Sequence, residues 1–498
     1  MRESAAELSA EQFRELGHRL VDEIAEFLAT IERRPVAPDV TPREIRSLMG
    51  GSSRAPDVGT DPRTILEDAT RLVFANSTLN GHPRFFGYIT SSAAPIGALA
   101  DLLATAVNPN CGAWGLSPVA TEIERQAVSW VADLIGYAPD AGGLLVSGGN
   151  VANMVCLIAA TRAKAGCDVR ARGVGAGQPL AVYASSEVHT WLQKGADVCG
   201  LGLESFRPVD VDEIGAMRLQ SLKAMIAEDR ANGFLPAVVV GTAGSVSTGA
   251  IDPLPELAAL CAAESIWFHV DGAYGAPAAM LDDAPEALRA IALADSVAID
   301  PHKWLYAPLE AGCALVRDAE ALRSAFSFHP PYYRFDGDAD DPPLNYHEWG
   351  LQNSRGFRAL KVWATIRQVG RSGYRTMIGD DIRLSREMHR IASEHEEIEA
   401  LTQSLSISTF RYVPRSLRAQ MHEAASLEYL NALNAAILAE MQRDGRVYVS
   451  NAVIGQTFAL RACIVNFRTD FKDVADVVRA TVDIGRRVDS QMQAARSR

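Results

Sequence analysis

The chain has 498 residues, 48% of them hydrophobic and 22% charged, an ordinary globular composition that excludes the disordered and fibrous classes. A net charge of −13 repels nucleic acid and anionic membrane surfaces, which leaves a small molecule as the expected partner. The seven cysteines (Cys111, Cys156, Cys167, Cys199, Cys261, Cys313 and Cys463) form no CxxC pair and there is no HExxH neighbourhood, so neither a disulfide framework nor a metal site is expected. The first residues lack a basic run followed by an apolar stretch, and no segment offers an uninterrupted apolar span long enough to cross a bilayer. A cytoplasmic protein with no membrane partner is the expectation.

In chain order, Ser9 and Gln12 have capping-box spacing, and Phe13, Leu16, Leu20, Ile24, Leu28 and Ile31 follow at helical intervals until Pro35. This predicts an amphipathic first helix whose stripe must be covered, either by the main domain or by a second subunit. The expected units are an N-terminal helical segment over 1–85, a large domain over 86–370 and a small α+β domain over 371–498. In the large domain, short apolar runs alternate with helical patterns: Leu144–Val146 then Val151–Lys164, Ala181–Ala184 then a helix, and Ala237–Val240 then Pro253–Ala263. That alternation predicts an α/β fold with a mainly parallel sheet, and ligands beyond the carboxyl ends of its strands.

Five motifs sit at those predicted ends. After Leu144–Val146 come Ser147, Gly148, Gly149 and Asn150, and a helix begins at once. Glycines allow a tight turn, and open N–H groups at a helix start suit a phosphate, although a plain turn reads the same way. His189 follows the next strand, where an imidazole can stack on an aromatic ring or move a proton, or simply face solvent. Thr242 offers a hydroxyl after Val240. Asp271 ends Ile266–Val270, followed by the small residues Gly272, Ala273 and Gly275, which leave room for a flat ligand. Its carboxylate would suit a protonated pyridine nitrogen or, equally, a turn cap. Ser296–Asp300 leads into Pro301, His302, Lys303 and Trp304, a turn that presents one amine. Each motif alone has a bland reading; together they supply a phosphate cradle, a ring partner, a stacking group and an amine.

The run Phe328–Leu344, dense in Pro and Asp, predicts a long mobile loop. Beyond Arg371, a helical pattern at Leu427–Met441 precedes strand-like runs at Val447–Val453 and Thr457–Val465 and a last helix near Val474–Val488.

The segments IDPHKW (299–304), HVDGAYG (269–275), LLVSGGNVAN (144–153), HPRFFGYI (82–89) and SRGFRALKVW (354–363) resemble those of the group II pyridoxal-phosphate decarboxylases, which act on aromatic amino acids, histidine and glutamate. The resemblance spans nearly the whole chain. It implies a fold type I large domain with pyridoxal 5'-phosphate held on Lys303, Asp271 paired with the pyridinium, His189 stacked on the ring and Ala273 packed on its other face. It further implies that His302, Ser147, Gly148 and Asn150 contact or frame the phosphate, with Thr242 nearby. Asp300 stands where some relatives have Asn, and its role is left open. Tyr332 matches the family's proton donor on a closing loop, with Tyr333 as a rival by position.

The resemblance also places a side-chain pocket at His82, Phe85, Phe86, Tyr88, Gly112 and Ser354, which favours an aromatic L-amino acid; core packing or subunit contact is the competing reading of those segments. Asn110, Cys111 and Gly112 replace a bulkier stretch of several aromatic relatives. The implied assembly is a homodimer with interfacial active sites. Decarboxylation of another amino acid, aldehyde formation and transamination are the alternative reactions.

Overall fold

The computed structural model describes residues 4–51, 54–328 and 342–496. Eleven strands are defined among the described residues. Seven lie in the first two thirds of the chain: β1 (Gly142–Val146), β2 (Leu180–Ser185), β3 (Phe206–Val209), β4 (Leu235–Thr242), β5 (Trp267–Asp271), β6 (Ser296–Ile299) and β7 (Gly312–Val316). Four follow: β8 (Ile398–Ser404), β9 (Ile407–Tyr412), β10 (Ser450–Ile454) and β11 (Thr457–Cys463).

The first seven form one sheet in the order β1-β7-β6-β5-β4-β2-β3. β2 pairs in parallel with β3 and β4, and β4, β5 and β6 continue in parallel. Such strands are covered by helices on both faces and read as continuous apolar runs; β1, β2 and β5 are buried at every position. Only β7 runs against the rest, inserted between β6 and β1. Two reversals restore direction, so β1 ends on the same sheet edge as β2, β4, β5 and β6. The expected α/β class and mainly parallel sheet are thus observed, with one antiparallel insertion that the apolar pattern did not reveal.

β1 lies at the sheet margin, with β7 as its only strand neighbour among the described residues. On its other side, the Leu145 N–H donates to Glu124 Oε1 at 2.9 Å, and the Leu145 carbonyl accepts from Arg355 Nη2 at 2.7 Å. Glu124 and Arg355 are themselves ion-paired, both side chains about 1% exposed. A buried pair of this kind is costly to break from one side, because the survivor is left charged and unpartnered.

The remaining four strands make an antiparallel sheet in the order β10-β11-β9-β8. β8 and β9 are a hairpin not expected from the sequence, where only the two later strands were predicted. The helix Ala424–Asp444 ends at Gly445 with φ 75°, a left-handed cap open to glycine, and the last helix is Phe471–Arg496. The helix assigned to Ala359–Glu394 breaks at Gly370, whose φ of 66° and ψ of 166° lie outside helical space.

The first helix is Ala10–Thr30, with both halves of the Ser9–Gln12 capping box formed. None of its residues is buried. It packs on the helix Pro62–Asn76, where Phe27 stacks on Phe74 at 4.4 Å. Phe13 stays 58% exposed, as do large parts of Ile65 and Val73. The rest of the same chain therefore leaves much of the amphipathic stripe uncovered.

Candidate active site

The carboxyl ends of β1, β2, β4, β5 and β6 open on one cleft of about 430 Å³. Ser147, Gly148, Asn150, His189, Thr242, Asp271, Ala273, His302 and Lys303 all line it. Strand ends as far apart in sequence as Val146 and Ile299 meet there because parallel crossovers return each strand in the same direction.

At the β1 end, Gly148 has φ 135°, which an L side chain rarely adopts, and it precedes the helix Gly149–Lys164 without any side-chain cap. The N–H groups of that first turn, with the positive end of the helix dipole, form an anion seat. Backbone packing enforces the shape: a Cβ on Gly312 at the start of β7 would lie 2.5 Å from the Gly148 backbone. A Cβ on Gly149 would lie 2.6 Å from the Asp300 carboxylate.

At the β6 end, Lys303 Nζ lies 2.9 Å from Asp300 Oδ2, and His302 Nε2 is 3.8 Å from the same oxygen. The other Asp300 oxygen, Oδ1, is buried and has no hydrogen-bond partner among the described residues. Burial, opposed by the Asp300 charge, lowers the proton affinity of His302. The loop is anchored from behind. Trp304 Nε1 donates to Asp381 Oδ2 at 2.8 Å, and the Tyr306 hydroxyl donates to the same oxygen. Trp304 also stacks on Tyr274 at 4.8 Å, one residue beyond Ala273. Asp381 is sealed, and burial pushes its carboxyl up to about 7.

At the β5 end, Asp271 is 7% exposed. Its Oδ2 accepts from Trp191 Nε1 at 2.7 Å, and its Oδ1 accepts from the Ala273 N–H at 3.2 Å. His189 lies in the turn after β2, and its Nδ1 accepts from the Trp191 backbone N–H at 3.2 Å. Burial against the cleft wall lowers its proton affinity, with the Asp271 charge acting in the opposite sense. Trp191 was not singled out from the sequence; an aromatic at the start of a helix reads as core.

The side-chain pocket residues are not brought into this cleft within one chain. His82, Phe85 and Phe86 are at most 4% exposed. Phe85 stacks on Tyr448 at 5.2 Å, and Phe86 belongs to the hydrophobic core of the antiparallel sheet. His82, with Nδ1 accepting from the Arg84 N–H, is held down to about 4 by burial. Tyr88 is 60% exposed and its neighbour Ile89 lines the cleft. Gly112 abuts the Asn353 carbonyl beside Ser354, away from the cleft lining. Tyr332 and Tyr333 lie outside the described residues. No cluster of His, Cys, Asp or Glu able to hold a metal ion occurs among the described residues.

An amine, a buried carboxylate, a glycine-rich helix start and a small residue lining one cleft suit a flat, phosphorylated aldehyde. The unpartnered Asp300 Oδ1 and the uncapped helix start show polar groups built for a ligand rather than for each other.

The model of the pyridoxal-dependent decarboxylase conserved domain matches residues 43–413. The chain is 32% identical over 473 residues to an aromatic-L-amino-acid decarboxylase of Bacillus atrophaeus, covering 95% of each. It is 28% identical over 487 residues to a phenylacetaldehyde synthase of a Rosa hybrid cultivar, covering 96% of this chain and 94% of the relative. Among solved structures, mouse CSAD superposes with a TM-score of 0.89 at 26% identity, covering 96% and 99% of the two chains. Catharanthus roseus tryptophan decarboxylase in complex with L-tryptophan superposes with a TM-score of 0.85 at 25% identity, with the same coverage.

Proposed function

Because the chain belongs to the family of pyridoxal-dependent decarboxylases, a group of amino acid decarboxylases that use pyridoxal 5'-phosphate, we propose that it converts an aromatic L-amino acid to the corresponding amine and carbon dioxide. The observation that carries the reading is the convergence of Lys303, Asp271, His189 and the Gly148 cradle on one cleft.

The cofactor, when bound, supplies an electron sink for the bond to the departing carboxylate. Lys303 would hold it through its amine, Asp271 would pair with the ring nitrogen, Ala273 and His189 would pack against the ring, and Ser147, Gly148, Asn150 and His302 would hold the phosphate end, with Thr242 nearby. Tyr332 would serve as the proton donor to the α-carbon. The aromatic preference is supported by the Bacillus atrophaeus relative and by the apolar Ile89, Val246 and Leu309 at the cleft wall.

The same reading makes the protein a cytoplasmic homodimer. Support comes from apolar side chains that one chain leaves open: Phe13 and Val73 on the N-terminal helices, and Leu99, Leu102, Leu103 and Val107 on the helix Pro95–Val107. An unpartnered apolar surface of this extent marks an interface. All seven cysteines are thiols, five of them buried, as a reducing compartment allows. Among the described residues, no helix is long and apolar enough to cross a membrane. In the assembled dimer, the exposed Tyr88 and Ser354 would approach the partner's cleft and shape its side-chain pocket.

The test is incubation of the loaded enzyme with a panel of L-amino acids, with mass spectrometry of the products. Amines from tryptophan, tyrosine or phenylalanine are expected. Aldehyde with oxygen consumption would move the chain toward the Rosa relative, and keto acid without carbon dioxide would overturn decarboxylation. In the same assay, Tyr332→Phe should lower amine formation roughly 10²–10⁴-fold, the usual contribution of a positioned proton donor. Sedimentation as a monomer would overturn the dimer.

A further inference from the structure

We propose that Trp191 is a positioning residue for the cofactor ring, fixing through two separate N–H groups both side chains that face it. The inference rests on the pyridoxal-phosphate reading of the cleft and adds to it a residue that neither the family motifs nor the strand ends pointed to.

Trp191 is 1% exposed and opens the helix Trp191–Val198. Its indole N–H holds Asp271 Oδ2 at 2.7 Å, while the Ala273 N–H holds Oδ1 at 3.2 Å. Each carboxylate oxygen thus has one neutral donor, and no ion pair reaches Asp271 among the described residues. Hydrogen bonds of this kind fix the orientation of a buried carboxylate. They leave its charge uncompensated, so the carboxylate stays ready for a cation, which a protonated pyridine nitrogen provides.

The indole cannot readily turn away. It meets His269 edge-on, with ring centres 5.8 Å apart and planes at 81°. His269 is itself locked: its Nε2 lies 2.7 Å from Asn153 Oδ1 and its Nδ1 lies 2.8 Å from Ser296 Oγ. Asn153 Nδ2 donates to the Gly149 carbonyl at 2.9 Å, which makes Asn153 Oδ1 the acceptor and His269 Nε2 the donor. The direction of Asp271 is therefore inherited from a buried chain of side chains that ends at the helix bearing the anion seat. The backbone N–H of Trp191 acts separately on His189, because a donor on Nδ1 places the imidazole hydrogen on Nε2.

The two actions can be separated, since Trp191→Phe removes the indole N–H and keeps the backbone one. Apoprotein is titrated with pyridoxal 5'-phosphate and with its 1-deaza analogue, in which carbon replaces the ring nitrogen, and binding is followed by absorbance. In the wild type the natural cofactor should bind more tightly than the analogue. In Trp191→Phe its affinity should fall roughly 10–100-fold, the scale of one hydrogen bond to a charged group, with the analogue unchanged. On an Asp271→Asn background the same substitution should cost nothing further.

Equal losses for both ligands would show simple packing and overturn the proposal, as would no loss for either. If Trp191→Phe does not fold, a benzothienylalanine at 191 keeps the shape, puts sulfur in place of the N–H and is read by the same criteria. Failure of the wild type to bind pyridoxal phosphate would overturn the cofactor reading itself, an outcome distinct from a wild type that binds it while Trp191 proves indifferent.

Discussion

Asp271 and Asp381 are both buried carboxylates, and each accepts from a tryptophan indole N–H, at 2.7 Å from Trp191 and 2.8 Å from Trp304. Their surroundings differ. Asp271 stands at the end of β5 with a face on the cleft, whereas Asp381 lies on the helix that follows Gly370, sealed under Trp304 and Tyr306. The first has room for an outside cation. The second has its space filled by donors of its own chain, and burial makes it a weak acid, pushed up to about 7. One kind of contact thus borders an open cleft in one place and attaches the Lys303 loop in the other, and access separates the two.

Four substitutions sharpen or break that contrast. The largest effect is expected for Lys303→Ala, which removes the amine both regions serve: turnover should drop by roughly 10⁴-fold or more, as for loss of a covalent group. Retained turnover would end the assignment. Asp271→Asn keeps the shape and removes the charge, and kcat/KM should fall roughly 10²–10³-fold with thermal stability little changed, the scale of one lost preorganised electrostatic contact. A comparable loss from Asp381→Asn would erase the distinction between the two sites.

Gly312→Ala tests the cradle, since its Cβ would press on the Gly148 backbone at 2.5 Å. An overpacking cost of roughly 1–3 kcal/mol should appear mainly as weaker cofactor binding, measured by dialysis against pyridoxal phosphate.

The smallest effect on turnover, within about threefold, is expected for Asp381→Asn, where the response should instead be in stability against pH. The Asp381 carboxyl moves from its ordinary 3.8 to about 7 on folding, so between those values the folded chain holds a proton that the unfolded chain has released. The resulting stability is complete below about pH 4 and is lost as pH rises through 7, by up to ~4 kcal/mol. Across that window denaturant titrations should show the wild type losing stability toward neutral pH relative to the variant, whose amide does not titrate; parallel curves would show that Asp381 is ionised throughout.

Much of the cleft was legible because it is built at strand ends. Apolar runs ending in Ser147–Gly148, Thr242, Asp271 and Lys303 announce both the sheet and its working edge, and Ser9 with Gln12 announces the first helix. Other features have no one-dimensional signature. The run Gly312–Val316 is as apolar as its parallel neighbours, so its reversed direction follows from where the chain re-enters the sheet. Asp380 and Asp381 read as a solvated pair in a polar helix, yet only the second is buried. Trp191 reads as core because that is also what it is. The segment His82–Tyr88 looks like a pocket by resemblance and packs as a joint within one chain.

The margin strand β1 carries the anion seat and would ordinarily expose a row of backbone donors and acceptors to any passing chain. The Glu124–Arg355 pair occupies the Leu145 N–H and carbonyl, taking the place of a neighbouring strand. Edge-to-edge recruitment of a second sheet is thereby blocked at the very strand that leads into the Gly148 turn of the cleft. Glu124→Gln or Arg355→Met should therefore reveal itself first as self-association during expression, before any fault in chemistry can be measured.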